Sequence, residues 1–297
     1  MKPFTMVTLL LSLTGMTPPV AAEGEAAPDK FRVHKKPKDA QGKEIELKLH
    51  IFEPPNHRPS DKSPAIFFFF GGGWKQGTPT QFYPHCAHLA ARGMVAISAE
   101  YRIESAHGTT PAECVKDAKS ALRWLRRHAT ELGIDPDRLA AGGGSAGGHL
   151  AAATAAAKGF DEADEDAALP CRPNALVLFN PVLDNGPEGY SHERFKDFWR
   201  DVSPMHNIDE KTPPTIVFLG SKDALIPVAS VEKYKKLMEA KGRRCELRVY
   251  EGRTHGFFNY RNFEDYTKTV EEMDLFLESL GYLKGKPGPK PPTNDAR

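Results

Sequence analysis

An α/β fold, with a mostly parallel central sheet and helices on both faces, is what this sequence predicts. Three observations carry that expectation. Runs such as PAIFFFF (64–70), ALVLF (175–179) and TIVFL (215–219) are apolar at every position, the pattern of strands buried on both faces. These runs alternate with segments of helical character, the order of a chain that crosses a parallel sheet repeatedly. Between one strand and one helix lies AGGGSAGGH (141–149), in which five glycines surround one serine.

The elements follow in order. EIELKLHIF (44–52) alternates, with Ile45, Leu47, Leu49 and Ile51 on one face, and reads as a half-buried edge strand. The run 64–70 is a buried strand that ends at three glycines, and 94–99 is a further short apolar strand. Thr110-Pro111-Ala112-Glu113 opens a helix, with Thr110 as N-cap and Glu113 closing a capping box. Val115, Ala118, Leu122 and Leu125 make its apolar stripe. A turn at 133–137 leads through 138–141 into the glycines. The segment from Leu150 is rich in strong helix formers. Strands at 175–179 and 215–219, a helix at 231–240, a strand at 245–250 and a long helix at 263–280 complete the chain.

The 297 residues, 40% hydrophobic and 27% charged, suit one large α/β domain or two small ones. No repeat or second domain is visible, so a single domain over 44–283 is expected. Net charge is +1 with Lys and Arg spread along the chain, which excludes an electrostatic footprint for nucleic acid. Lys2, the apolar run 6–13 and the small residues Val20-Ala21-Ala22 read as a signal peptide over 1–22, implying export to the periplasm or beyond. That run is too short to span a bilayer, so no stable membrane insertion is expected. Residues 23–43 read as a flexible lead-in and 284–297 as a disordered tail. Cys86, Cys114, Cys171 and Cys245 show no CxxC spacing, so no zinc or thioredoxin-like site is expected. Export would allow some of them to pair, and the sequence does not choose a pairing. Nothing in the chain fixes an oligomeric state.

The glycines have a chemical reading. Gly143-Gly144-Ser145-Ala146-Gly147 fits G-x-S-x-G between a strand and a helix, where a sharp turn presents the serine hydroxyl beside a helix N-terminus. Phe70-Gly71-Gly72-Gly73-Trp74 ends another strand. Glycines there let backbone N–H groups approach a developing oxyanion. A serine needs a base and the base an orienting acid. His255, among 11 histidines, follows the last strand, and Asp223 follows the strand before it. Each alone could be a turn residue. Together with Ser145 they stand in the order Ser, Asp, His at one sheet edge. Asp184 is the rival acid. His149 and the pair Tyr101-Arg102 read as structural, and Cys86 has no base-and-acid pattern of its own.

At these residues, GGGW, GGSAGGH, GSKDALIP and THGFF, the chain resembles the α/β-hydrolase superfamily over about 44–280. It is most similar to the hormone-sensitive-lipase-like and feruloyl/acetyl-xylan-esterase-like carboxylesterases. The resemblance implies Ser145 as nucleophile, His255 as base and Asp223 as orienter. The N–H groups of Gly72, Gly73 and Ala146 would form the oxyanion hole, with no metal and no cofactor. The family usually has histidine where this chain has Phe70, a residue that braces the glycine loop. Ala146 stands where the related peptidases carry tyrosine.

Only a small cap, 186–207, lies between the strands that could carry one. Its Phe195, Phe198 and Trp199, with Trp74, are expected to rim the site and contact substrate. The expectation is therefore an exported serine carboxylesterase of short acyl esters. Its substrate would be a small-molecule or oligosaccharide ester, first of all an acetylated carbohydrate. A serine peptidase or amidase on the same scaffold is one alternative. A binding protein that has kept the fold without catalysis is the other.

Overall fold

The structure, a computed structural model, describes residues 26–166, 168–286 and 288. The expected signal peptide at 1–22 and most of the expected tail lie outside those residues. In chain order the elements are β1 (Lys30–Lys35), β2 (Leu47–Phe52), β3 (Ser63–Phe69), α1 (Tyr83–Ala91) and β4 (Val95–Ala99). Next come α2 (Glu104–His107), α3 (Pro111–Arg127), β5 (Ile134–Gly144), α4 (Ala146–Ala156) and β6 (Ala175–Phe179). Then follow α5 (Trp199–Val202), β7 (Thr215–Gly220), α6 (Val228–Ala240), β8 (Cys245–Tyr250) and α7 (Phe263–Ser279).

The strands form one sheet in the order β1-β2-β4-β3-β5-β6-β7-β8. β2 runs antiparallel to both β1 and β4, and every pairing from β4 to β8 is parallel. This is the mostly parallel sheet that the apolar runs call for. Alternate side chains of one strand enter two cores. Phe67 and Phe69 of β3 pack on the face covered by α3, α4 and α6, and Ile66 and Phe68 on the face covered by α1 and α7. The capping box of α3 is formed: Thr110 Oγ1 accepts from Ala112 N, and the Glu113 carboxylate accepts from Thr110 N at 2.9 Å.

Three assignments need correction. The lead-in over 23–43 is not simply flexible, because Lys30–Lys35 pairs along β2 and forms the edge of the sheet. β2 is thereby an interior strand rather than the edge. The KFRVHK sequence of β1 has no apolar run, so its place is set by the ladder and by polar contacts. Lys35 Nζ meets Asp117 and Glu162 at 2.7 Å each, and a His34 ring nitrogen meets Glu100 O at 3.1 Å. The start of the expected disordered tail is also held: Arg92 donates to Lys284 O at 3.1 Å, and Gly288 N donates to the buried Asp274 at 2.8 Å. α1 was not legible, since YPHCAHLAA carries a proline and two histidines. All four cysteines are free, three of them buried. Among the described residues no helix is long and apolar enough to cross a membrane.

Candidate active site

Five loops meet at one edge of the sheet. Gly71 to Gly73 follow β3, Ser145 follows β5, Asn180 follows β6, Asp223 follows β7 and His255 follows β8. These strands are parallel and adjacent, so their C-terminal ends open on the same crevice.

Ser145 sits at the turn from β5 into α4 with φ +54° and ψ −117°, a conformation that costs a residue with a side chain about 1–3 kcal/mol. The surroundings hold it there. Ser145 N donates to Phe179 O at 2.9 Å, and Ser145 O accepts from His149 N at 3.0 Å. The flanking glycines are steric requirements. A Cβ on Gly147 would stand 2.0 Å from Phe69 O, and one on Gly143 would stand 2.4 Å from the Gly147 carbonyl carbon.

The imidazole of His255 bridges the other two groups. Its Nε2 lies 3.0 Å from Ser145 Oγ and its Nδ1 lies 2.8 Å from Asp223 Oδ2. The second Asp223 oxygen accepts from the N–H groups of Leu225 and Ile226, each at 2.9 Å. Burial pushes the Asp223 carboxyl upward. The hydrogen bonds from His255 and the two N–H groups outweigh burial and hold it below the usual carboxylate range. With Asp223 ionised, Nδ1 carries the proton and Nε2 faces the serine as an acceptor. Asp184 does not reach the imidazole, because its Oδ1 accepts from Gly186 N at 2.7 Å and lies 3.8 Å from His206.

Gly72 and Gly73 line the same cavity as His255, and their N–H groups have no acceptor among the described residues. Ala146 opens α4, where the helix supplies its N–H with no partner. The glycine loop is braced without the usual histidine. Phe70 stacks on Tyr101 with ring centroids 4.3 Å apart, and Phe70 O accepts from the Tyr101 hydroxyl at 2.8 Å. Gly73 O accepts from Arg194 at 2.6 Å, and Arg194 is held in turn by Glu104 at 2.6 Å. Gly71 N donates to Gln81 Oε1 at 2.7 Å. Gln81 Nε2 donates to Asn259 Oδ1 at 2.9 Å, and Asn259 Nδ2 to Gly256 O at 2.7 Å. Two side-chain amides therefore tie the glycine loop to the loop that carries His255.

The expected aromatic rim is not there. Trp74 and Phe195 are fully buried and pack edge-on to each other, 4.8 Å between centroids, with His149 against both. Phe198 packs on Phe195 and Phe160, and Trp199 on His206. Of the cap aromatics Phe195 is buried against Trp74, Phe198 and Trp199 are half-buried away from the site, and Tyr190 lines the cavity over Ser145 instead. A cavity of about 650 Å³ over Ser145 and His255 is lined by Asn180, Tyr190, Leu225 and Phe258, among others. His149 is structural, with burial pushing its imidazole down to about 3. Asn180 was missed by sequence reasoning. Fully buried at φ +35°, it accepts from Gly256 N at 2.9 Å and faces His255 Nε2 at 3.4 Å. A buried polar residue where an apolar strand ends was its only signal. Burial pushes the Cys86 and Cys114 thiols up, which makes them poor nucleophiles. No group of metal-ligating side chains occurs among the described residues.

Residues 66–259 match the family described as alpha/beta hydrolase fold. Thermogutta terrifontis esterase 2, solved with propionate bound, is 42% identical over 88% of this chain and 97% of its own, with a TM-score of 0.81. The same esterase has been solved phosphorylated by paraoxon. A probable carboxylic ester hydrolase, LipM, of Mycobacterium tuberculosis is 32% identical over 61% of this chain and 46% of its own length. An acetylxylan esterase of Xylanibacter ruminicola is 26% identical over 76% of this chain and 46% of its own length. The chain spans about half the length of these curated relatives.

Proposed function

This chain belongs to the alpha/beta hydrolase fold family, and on that premise we propose that it is a serine carboxylesterase of short-chain acyl esters. The observation that carries the reading is the continuous hydrogen-bonded line from Asp223 through His255 to Ser145. Ser145 Oγ attacks the ester carbonyl carbon while His255 Nε2 takes its proton. The carbonyl oxygen becomes an oxyanion, received by the N–H groups of Gly72, Gly73 and Ala146. Collapse expels the alcohol, whose oxygen takes the proton back from Nε2, and leaves an acyl group on Ser145. Water, deprotonated by the same nitrogen, then releases the acid.

A short acyl group is supported by esterase 2, which has been solved with propionate and with butyrate bound. An acetylated carbohydrate is our reading of the alcohol half, supported by the likeness to an acetylxylan esterase. Export through the signal peptide at 1–22 belongs to the same reading.

The test is direct. A fluorophosphonate probe should label the protein at Ser145, and Ser145→Ala should lower kcat by roughly 10³–10⁶-fold with the fold intact. Near-normal hydrolysis by folded Ser145→Ala would reject the mechanism. Across acetyl, butyryl and octanoyl esters, kcat/KM should fall beyond butyryl. A rise through octanoyl would reject the short acyl group.

A further inference from the structure

A second cavity, of about 970 Å³, opens from the site along the glycine loop. It shares Gly71, Gly72, Gln76, Gln81, Asn259 and Arg261 with the cavity over Ser145, so the two form one continuous groove. Its volume is at the upper end of the range of about 300–1,000 Å³ that houses a whole drug-sized ligand. Acetyl, propionyl and butyryl groups leave most of it unfilled.

The lining has a consistent chemistry. Tyr83, Pro84 and Tyr260 give it apolar surface, and Gln76, Gln81, Asn259, Thr78 and Thr80 give it amides and hydroxyls. Among the described residues its aliphatic lining is confined to Ala26, Ala27 and Pro84, with no Leu, Ile, Val, Met or Phe. Tyr260 is 45% exposed, so its ring is available to a ligand. The Tyr83 hydroxyl is fixed from behind by a ring nitrogen of His50, whose other nitrogen lies 3.1 Å from Glu100. Burial raises the Glu100 carboxyl. The hydrogen bonds from His50 and Lys48 N outweigh this and keep it below the usual range. His50 Nε2 therefore donates to Glu100, its Nδ1 accepts the Tyr83 proton, and the Tyr83 oxygen keeps its lone pairs for a hydroxyl donor. Amides, hydroxyls and aromatic rings together match a polyhydroxylated ring with one apolar face.

Direction follows from the chemistry. His255 returns its proton to the leaving oxygen, so the alcohol half lies on the imidazole side. Asn259 and Arg261, from the loop that carries His255, line both cavities, so the groove meets the site beside that loop. We propose that the groove is an alcohol-side subsite for an oligosaccharide, with Tyr260 and Tyr83 seating sugar rings beyond the acetylated one. The proposal rests on the esterase reading and extends it from a single sugar acetate to a chain.

The experiment measures kcat/KM for singly acetylated xylo-oligosaccharides of one to four rings, with a cello series alongside and 4-nitrophenyl acetate as reference. From one ring to three, kcat/KM should rise at least tenfold, mainly through KM. Tyr260→Ala should flatten that rise and lower the three-ring value about tenfold more than the reference. Tyr83→Phe, which keeps the ring and loses the oxygen, should remove part of it. Calorimetry of unacetylated xylotriose and cellotriose reads the groove without turnover. Values flat with length in both series, or a rise untouched by Tyr260→Ala, would overturn the proposal. Loss of 4-nitrophenyl acetate hydrolysis would fault the esterase reading instead, and trisaccharide binding weakened by Tyr260→Ala would still report on the groove.

Discussion

Asp223 satisfies three donors with two oxygens, and each donor presupposes a negative carboxylate. Asp223→Asn puts an NH2 group where an oxygen faced Nδ1–H, or where one faced two backbone N–H groups. The two backbone N–H groups hold the amide oxygen, so the NH2 faces Nδ1, the imidazole turns to its other tautomer, and kcat should fall by about 10⁴-fold. Asp184→Asn should stay within a few-fold of the parent. The reverse outcome would move the acid to Asp184. Gln81 offers a second test, since it holds the glycine loop through one amide. Gln81→Ala should lower kcat about 10–100-fold with little change in KM, because the oxyanion donors matter most in the transition state. Gln81→Glu keeps the acceptor for Gly71 N but cannot donate to Asn259, and should recover part of the loss. An effect on KM alone would contradict this role. Ser145, Asp223 and His255 were legible because each follows a strand within a short motif. Gln81, Asn180 and Asn259 were not, since an amide tying two distant loops has no local pattern. Trp74 and Phe195 misled for the opposite reason: an aromatic beside a motif packs or binds, and composition does not say which.

At the scale of elements, the site depends on how closely β3, β5 and α4 approach. A side chain on Gly143 would meet the Gly147 carbonyl, and one on Gly147 would meet the carbonyls of Phe69 and Phe70. Gly147→Ala must push α4 away from β3 and carry Ser145 with it. A loss of about 1–3 kcal/mol in stability is expected, as for other overpacked sites, together with a large fall in kcat. Denaturant unfolding beside a kinetic assay checks both, and a fully active, equally stable Gly147→Ala would refute the steric account. The elements legible in advance had either a continuous apolar run, as β3, β6 and β7 do, or explicit end signals, as α3 does at Thr110 and Glu113. β1 had neither. Its partner strand and the ion pairs of Lys35 exist only once the chain has folded.

Across the whole molecule, three buried histidines set an acid limit. Burial pushes His34 down to about 4 and His85 and His149 each to about 3, against 6.5 for an exposed imidazole. The unfolded chain binds more protons than the folded one between those values. Stability is therefore full above about pH 6.5 and falls as pH drops toward 4, by about 1.4 kcal/mol per pH unit for each histidine. His85, with neither ring nitrogen partnered, is the cleanest probe. Unfolding free energies should decline shallowly from pH 7 to 6 and with a slope approaching three protons from pH 6 to 5, and His85→Leu should remove about one. A flat profile would contradict the burial argument.

The four thiols of this chain stay apart, three of them sealed in the two cores. No covalent bond remains to be closed after the sheet has buried its faces. Renaturation from the reduced chain needs no oxidant, and a reducing medium favours it. Any disulfide that the unfolded chain closes is therefore a wrong one, and it must be reduced before the thiols can be buried again.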